Sequence, residues 1–432
     1  MITVENISKS YGAQTLFENV SFRVNPRERV GLVGRNGHGK TTLFRLITGE
    51  EHPDDGKITW PKSYRVGYLQ QHLEFSCASA IEEAASALPA GEQGNVWEAE
   101  KILTGLGFSR GQMEGPPSLL SGGYQMRLSL ARVLVAGPDM LLLDEPNNYL
   151  DITSIRWLQR FLREWRGELM LITHDRGFMD SVVTHTVGIH RRKARKVEGS
   201  TDKLYAQIAQ EEEVYEQTRV NDERRRKEIE LFVSRFRAKA RLANMVQSRV
   251  KMLAKMEKRD RLAEVKNLEF SFVYRHSHSK YLMNADGLTF SWPGSERPLI
   301  RDFSLSVRSR DRICVIGKNG KGKTTLLKLL AGVLDPSKGS VMLQQNTAPG
   351  YYEQSNVQSL SPTATVVDEI VMSQASVDRQ QARSIAGAMM FEGDDALKKI
   401  EVLSGGEKSR VILGKLLVTP LNLLLLDEPT NH

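Results

Sequence analysis

Apolar residues recur along the chain with two different periods. Short apolar runs, Val30 to Val33, Met140 to Leu143, Leu169 to Ile172, Ile313 to Ile316 and Leu423 to Leu426, read as buried strands. Residues Ile2 to Val24 read as strands as well. Helical patterns cover Leu43 to Ile47, Met126 to Leu134 and Leu326 to Leu330. Alternation of the two kinds predicts an α/β chain. From Ser200 to Asp286 there is not one Gly or Pro, although the chain has 34 Gly and 15 Pro, and this predicts long helices. Ile229, Phe232, Val233 and Phe236 share one helical face there, as do Leu242, Met245, Val246, Val250 and Leu253. Two packed antiparallel helices would satisfy both stripes.

Two of the strand–helix junctions carry chemistry. Gly34-Arg35-Asn36-Gly37-His38-Gly39-Lys40-Thr41-Thr42 follows the run ending at Val33, and Gly317-Lys318-Asn319-Gly320-Lys321-Gly322-Lys323-Thr324-Thr325 follows the one ending at Ile316. Strand, glycine-rich loop and helix make the setting of a phosphate-binding loop. Glycines let the backbone wrap phosphate oxygens, and the loop N–H groups with the helix N-terminus supply positive potential. Lys40 and Lys323 would reach the β- and γ-phosphates, and Thr41 and Thr324 would ligate Mg²⁺.

The loops belong to a larger repeat. Gly34 and Gly317, Gln71 and Gln354, Ser121 and Ser404, and Asp144 and Asp427 are each 283 positions apart. One displacement shared by four motifs is a duplicated domain. Around them lie Leu120-Ser121-Gly122-Gly123, the strand ends Asp144-Glu145-Pro146 and Asp427-Glu428-Pro429, and Thr173-His174-Asp175 after a further strand.

The remaining bulk properties narrow the class. A length of 432 residues sets a prior of about three domains, and 40% hydrophobic with 26% charged residues is ordinary for a globular protein. Cys77 and Cys314 are isolated, which builds neither a disulfide framework nor a zinc site and suits a reducing cytosol. No signal-peptide pattern follows Met1, and no apolar run approaches the ~20 residues of a membrane span. His276 and His278 read as exposed loop residues rather than metal ligands, and His38 as a packing or solvent-facing residue of the loop.

The motif set resembles the ATP-binding cassette: Walker A loops, Q-loops, LSGG signatures, Walker B strands with their glutamates, and an H-switch. Asp427-Glu428-Pro429-Thr430-Asn431-His432 is similar to the DEPTNH string of the twin-cassette ABC-F group in particular. The resemblance implies two P-loop ABC-type nucleotide-binding domains, 1–204 and 263–432, joined by a long basic helical-hairpin linker, 205–262. It implies two ATP molecules held between cassettes that pair intramolecularly. One site would join Gly34, Asn36, Gly37, Gly39, Lys40, Thr41, Thr42, Gln71, Asp144, Glu145 and His174 with Ser404, Gly405 and Gly406. The other would join Gly317, Asn319, Gly320, Gly322, Lys323, Thr324, Thr325, Gln354, Asp427 and Glu428 with Ser121, Gly122 and Gly123. Tyr11 and Trp292 would stack on adenine. Mg²⁺ would be met by Thr41, Gln71 and Asp144 in one site and by Thr324, Gln354 and Asp427 in the other. Glu145 and Glu428 would polarise the attacking water, and His174 would sense the γ-phosphate.

Two departures stand out. Asn147 and Tyr149 replace the usual Thr and His of the first copy, which bears on coupling between sites rather than on hydrolysis. Displaced by 283, the counterparts of Asp151 and His174 would be positions 434 and 457, so the expectation is a truncated chain whose second cassette is incomplete at its C-terminal side and weakened at its own site.

Charge singles out the linker. Between Glu223 and Arg261 there are fourteen Lys and Arg against five Asp and Glu, a net of +9, and the whole chain is +8, so the remainder sums to −1. A solvated helical spacer is the plain reading, but Arg224-Arg225-Arg226-Lys227 and Arg235 to Arg241 read as presenting one sign outward, which favours an RNA-binding face. In ABC-F proteins a similar linker enters the ribosome and touches tRNA and ribosomal RNA, so a cytoplasmic ribosome partner, met through Arg224–Arg261, is the expectation. The equal intervals Gln71 to Ser121 and Gln354 to Ser404 leave no room for an arm insertion, as in an armless subtype. The alternative is the energising ATPase of a membrane transporter, which would need a separate membrane subunit. A DNA-repair ATPase fits less well, with no zinc cysteines and no coiled coil splitting a cassette.

Overall fold

The computed structural model describes residues 1–12, 14–34, 37–69, 75–148, 150–236, 243–255, 270–277, 279–295, 297–353, 359–391 and 393–429. It divides into two compact units, Met1–Val265 and Lys266–His432.

The first unit runs β1 (Ile2–Tyr11), β2 (Gln14–Val24), β3 (Arg29–Val33), α1 (Lys40–Thr48), β4 (Asp55–Thr59), β5 (Val66–Tyr68), α2 (Ala80–Ala85), α3 (Val96–Gly105), α4 (Arg110–Glu114), α5 (Gly122–Val135), β6 (Met140–Asp144), α6 (Ile152–Arg163), β7 (Glu168–Ile172), α7 (Arg176–Val182), β8 (His185–His190), β9 (Lys193–Glu198), α8 (Thr201–Phe236) and α9 (Ala243–Lys255). A six-stranded sheet has the order β5-β6-β7-β3-β8-β9, parallel except for the β8–β9 hairpin, and a second sheet, β2-β1-β4, is antiparallel. The unbroken apolar runs are explained by burial on both faces. Met140 and Leu142 of β6 and Met170 and Ile172 of β7 pack with Phe17, Phe44 and the small sheet. Their neighbours Leu141, Leu143, Leu169 and Leu171 face the opposite way, against Leu103, Leu128 and Phe178 of the helices.

Helix α8 is 36 residues long and is rooted in this unit. Its first residue, Thr201, is fully buried. Asp180 of α7 accepts hydrogen bonds from the Thr201 backbone N–H (2.9 Å) and hydroxyl (3.0 Å), capping the helix from outside. The Arg176 guanidinium lies 4.8 Å from the Tyr205 ring centre, one helical turn along.

The paired stripes are only partly as expected. Ile229 and Val246 are buried and Arg249 of α9 stacks 5.9 Å from the Phe232 ring of α8. Met245 and Val250, however, are 53% and 45% exposed. Two helices alone bury a narrow seam, so residues at its flanks stay in solvent. The outward charge is also less one-sided than the sequence suggests: Arg224, Arg226 and Lys227 pair with Glu228, Glu230 and Glu223 at i,i+4 spacing. Residues 237–242 and 256–269 lie outside the described residues, and with them Phe236's side chain, Leu242 and the basic positions Arg237, Lys239, Arg241, Lys258, Arg259 and Arg261.

The second unit contains β10 (Tyr281–Phe290), β11 (Ile300–Arg308), α10 (Lys323–Leu330), β12 (Lys338–Leu343), β13 (Pro349–Tyr352), α11 (Val366–Val371), α12 (Arg379–Ala388), α13 (Gly405–Val418) and β14 (Leu423–Leu426). Its antiparallel sheet β11-β10-β12 repeats β2-β1-β4, and the parallel pair β13-β14 repeats β5-β6. One expectation fails here. Residues 312–316 form no strand, and Ile313, Val315 and Ile316 are 50%, 37% and 74% exposed. Their counterpart β3 lies between β7 and β8, to which it is hydrogen-bonded on both sides. Among the described residues of the second unit no strand is hydrogen-bonded to this run. The long Gly- and Pro-free stretch likewise ends in β10 rather than in helix. Among the described residues no helix is long and apolar enough to cross a membrane.

Candidate nucleotide site

In the first unit β3 delivers the chain into the glycine-rich loop. Gly39 sits at φ 84°, caps α1 without a side-chain hydrogen bond, and would put a Cβ 2.7 Å from the Phe17 ring. Only glycine fits that left-handed position against the core. Lys40 opens α1 and donates to the Gly34 carbonyl at 2.9 Å, and the Thr41 hydroxyl donates to Asp144 Oδ2 at 2.8 Å. Thus β6 brings its terminal carboxylate to the loop.

The next residue, Glu145, holds φ 50°, a strained value for a non-glycine residue that turns its side chain back over the loop. Its Oε2 accepts from the His174 backbone N–H at 3.3 Å. Oε1 is buried without a hydrogen-bond partner, 3.4 Å from His174 Nε2. Burial, reinforced by Asp144 and opposed by the His174 hydrogen bond, pushes the Glu145 carboxyl up to about 7. Burial also raises Asp144, and lowers Lys40 and His174. These groups line a cavity of about 420 Å³ together with Tyr11, Gln14, Gly37 and Thr42. Tyr11, 46% exposed, is held at the rim by a hydrogen bond from its hydroxyl to Glu51, which Arg45 also reaches.

The second loop repeats the backbone. Gly322 caps α10 at φ 86°, and Glu428 is again left-handed at φ 47° beside Asp427. Lys323 Nζ donates to the Gly317 carbonyl (2.9 Å), the Lys318 carbonyl (3.2 Å) and Asn319 Oδ1 (3.1 Å). Trp292 is 49% exposed and packs edge-on against Phe290.

The two signature helices start differently. Ser121 caps α5 with no side-chain hydrogen bond, and Gly122 and Gly123 form its first turn. Ser404 caps α13 in a reciprocal box: its hydroxyl donates to Glu407 Oε2 at 2.7 Å and its backbone N–H to the same oxygen at 2.8 Å, with Gly405 and Gly406 between. In α5 the place of Glu407 is taken by Tyr124, whose hydroxyl turns away to the Gly107 carbonyl.

Asn36, Gln71, Tyr149, His278, Gln354, Thr430, Asn431 and His432 lie outside the described residues. His276 is exposed and His38 half-buried. The sequence reading missed what Asn147 does: the Thr173 hydroxyl donates to its Oδ1 at 2.6 Å, tying the end of β7 to the segment after β6. Its only signal was the departure from the usual Thr.

A family model described as ABC transporter matches residues 17–148 and 300–431, and a second with the same description matches 187–272. The chain belongs to the ABC family of ATPases. Among its relatives, Putative ATP-binding protein YdiF of Bacillus subtilis is 32% identical, with 100% of this chain and 74% of that protein covered. Probable ATP-binding protein YheS of Escherichia coli is 33% identical, covering 100% and 72%. ABC transporter F family member 5 of Arabidopsis thaliana is 31% identical, covering 100% and 69%. Together they place this ABC protein in the ABC-F type. A solved ATP-binding subunit of an ABC transporter shares 24% identity at a TM-score of 0.41, over 48% of this chain and 93% of that one. ABC cassettes bind and hydrolyse ATP, so the chain is an ATPase.

Proposed function

We propose that this ABC-F ATPase acts on the ribosome in the cytoplasm, coupling closure of its cassettes, 1–204 and 263–432, around two ATP to docking of the linker 205–262 against tRNA and ribosomal RNA. The observation that carries the reading is the root of α8. The helix that leads into the basic stretch is capped by Asp180 on α7, the helix that starts two residues after His174. A γ-phosphate sensor and an RNA-facing lever are thereby one mechanical piece. The i,i+4 pairs along α8 do not oppose this, because exposed pairs of that kind are weak and yield readily to phosphate.

At the first site Glu145 is the general base, with its unsatisfied Oε1 aimed at the place of the attacking water and a carboxyl near neutrality. His174 fixes that carboxylate through its backbone N–H and presents its imidazole to the γ-phosphate. Lys40 neutralises phosphate charge, and Tyr11 offers its ring to adenine. Thr41 and Asp144, adjacent hard oxygen donors, fit Mg²⁺, with Gln71 completing the set; the ion would neutralise charge on the β- and γ-phosphates. Asp427, Glu428, Thr324, Gln354 and Trp292 take the same roles at the second site, and Ser121 and Ser404 contribute their hydroxyls to ATP.

Sucrose-gradient sedimentation of the Glu145→Gln, Glu428→Gln chain with ribosomes tests this. ATP-dependent comigration with ribosomal particles is expected. A protein that stays at the top of a low-salt gradient refutes the ribosome partner, and detergent-stable copurification with a polytopic membrane protein would instead establish the transporter reading.

A further inference from the structure

Among the buried carboxylates of each unit, one ties a loop to the helix that opens with the signature serine. Glu83 on α2 is 1% exposed. Its Oε2 accepts from the backbone N–H groups of Ser76 (2.9 Å) and Cys77 (2.8 Å), and its Oε1 lies 3.0 Å from Arg132 Nη1 in the last turn of α5. Glu369 on α11, 3% exposed, does the same: Oε2 accepts from the Ser361 N–H at 3.3 Å, and Oε1 receives Lys415 Nζ of α13 at 2.5 Å. Burial raises the Glu83 carboxyl, but the bonds from Cys77 and Ser76 and the Arg132 charge more than offset this and leave it below the ordinary carboxylate value.

The repetition is informative because the sequence does not simply copy it. Arg132 and Lys415 are 283 apart, whereas Glu83 and Glu369 are 286 apart. The register slips by three residues and the cation changes type, yet the same three-way joint is rebuilt. An apolar side chain would fill such a site at least as stably, since a buried ion pair scarcely repays its desolvation. What a carboxylate adds is direction. Its two oxygens fasten two pieces that share no backbone hydrogen bond among the described residues, the segment that enters α2 or α11 and the helix that begins with the signature serine.

We propose that Glu83 and Glu369 are positioning residues that lock the segment following the Q-loop glutamine to the signature helix of the same cassette. The first joint holds α5, and with it Ser121, in place through Arg132; the second holds α13 and Ser404 through Lys415. This inference rests on the ATP-site reading above.

Steady-state ATP turnover and amide hydrogen exchange on the full chain test it together. Glu83→Gln, which keeps the shape but loses the charge, is expected to lower kcat about 10- to 100-fold with KM changed less than about 3-fold. Exchange at Ser76 and Cys77 should quicken at the same time. Arg132→Lys, which gives the first joint the chemistry of the second, should retain turnover and amide protection. If Glu83→Gln does not fold, Glu83→Asp, too short to hold both partners, is read in the same way. Freed amides with kcat unchanged, or kcat and KM lost together with the cooperative melt, would reduce the joint to scaffolding and overturn the proposal. The parent reading has its own control: if Lys40→Ala with Lys323→Ala leaves turnover intact, the site assignment falls first and the positioning role with it.

Discussion

The seat of α8 offers a measurement whose sign, not only its size, follows from geometry. Leu204, in the first turn of α8, is fully buried. A Cβ built on Gly188 of β8 would lie 2.7 Å from Leu204 Cδ2, and the next two atoms it meets, at 3.3 and 3.4 Å, also belong to Leu204. Gly188→Ala therefore overpacks the seat and should cost about 1–3 kcal/mol. Leu204→Ala leaves a cavity and should cost about 2–5 kcal/mol. In the Leu204→Ala background the obstruction is gone, and Gly188 has an ordinary negative-φ strand conformation. There Gly188→Ala should stabilise by about 0.4–1 kcal/mol through the lost entropy of the unfolded chain. The same substitution thus changes sign between backgrounds, a coupling well outside the error of additivity. Amide exchange in β8 and the first two turns of α8 reports it, with Leu204→Ala accelerating exchange by roughly 30-fold or more. Additive behaviour, or a neutral Gly188→Ala in the parent chain, would show that Leu204 does not fill this space and that α8 is seated otherwise.

Glu145→Gln should retain ATP binding and lower turnover at the first site by about 10²–10⁴, the usual worth of a general base; full turnover in a single-site background would exclude that role. The Glu83 carboxyl is held below its ordinary value of 4.5, so its contribution to stability is complete above about that pH and is lost as the pH falls through the lowered folded value. An acid melt monitored by circular dichroism should show this loss in the parent and not in Glu83→Gln. If the linker makes ~6–10 phosphate contacts, raising salt from ~50 to ~200 mM should weaken ribosome binding by about 10³–10⁵, and a salt-independent affinity in sedimentation would remove the linker from the interface.

The motifs were legible because their chemistry is local. Glycine spacing, the strand-end acid pairs and the signature serines specify their own backbone within a few residues, and a single displacement of 283 exposed the duplication. What escaped was relational. Glu83 reads as one acid on a short helix until Ser76, Cys77 and Arg132 are seen around it. Asn147 reads as a lost threonine until the Thr173 hydroxyl is found on it. Met245 and Val250 lie on a helical stripe that periodicity marks as buried, but periodicity cannot say how wide a partner covers it.

The duplicated loops separate local from nonlocal coding within one molecule. Val30 and Leu32 are fully buried in β3, whereas Ile313 and Ile316, from an equally apolar run, are exposed and form no strand. Side-chain preference is the same in both; what differs is a hydrogen-bonding neighbour on each side. Yet the glycines of the loops that follow keep matching φ, 78° and 84° at Gly37 and Gly39 against 73° and 86° at Gly320 and Gly322, and the strand-end glutamates match too, 50° at Glu145 and 47° at Glu428. The phosphate cradle and the strained glutamate thus persist where the preceding strand does not. Glycines and the helix start set the loop, the turn after β6 or β14 sets the glutamate, and the central sheet only decides how firmly both are held.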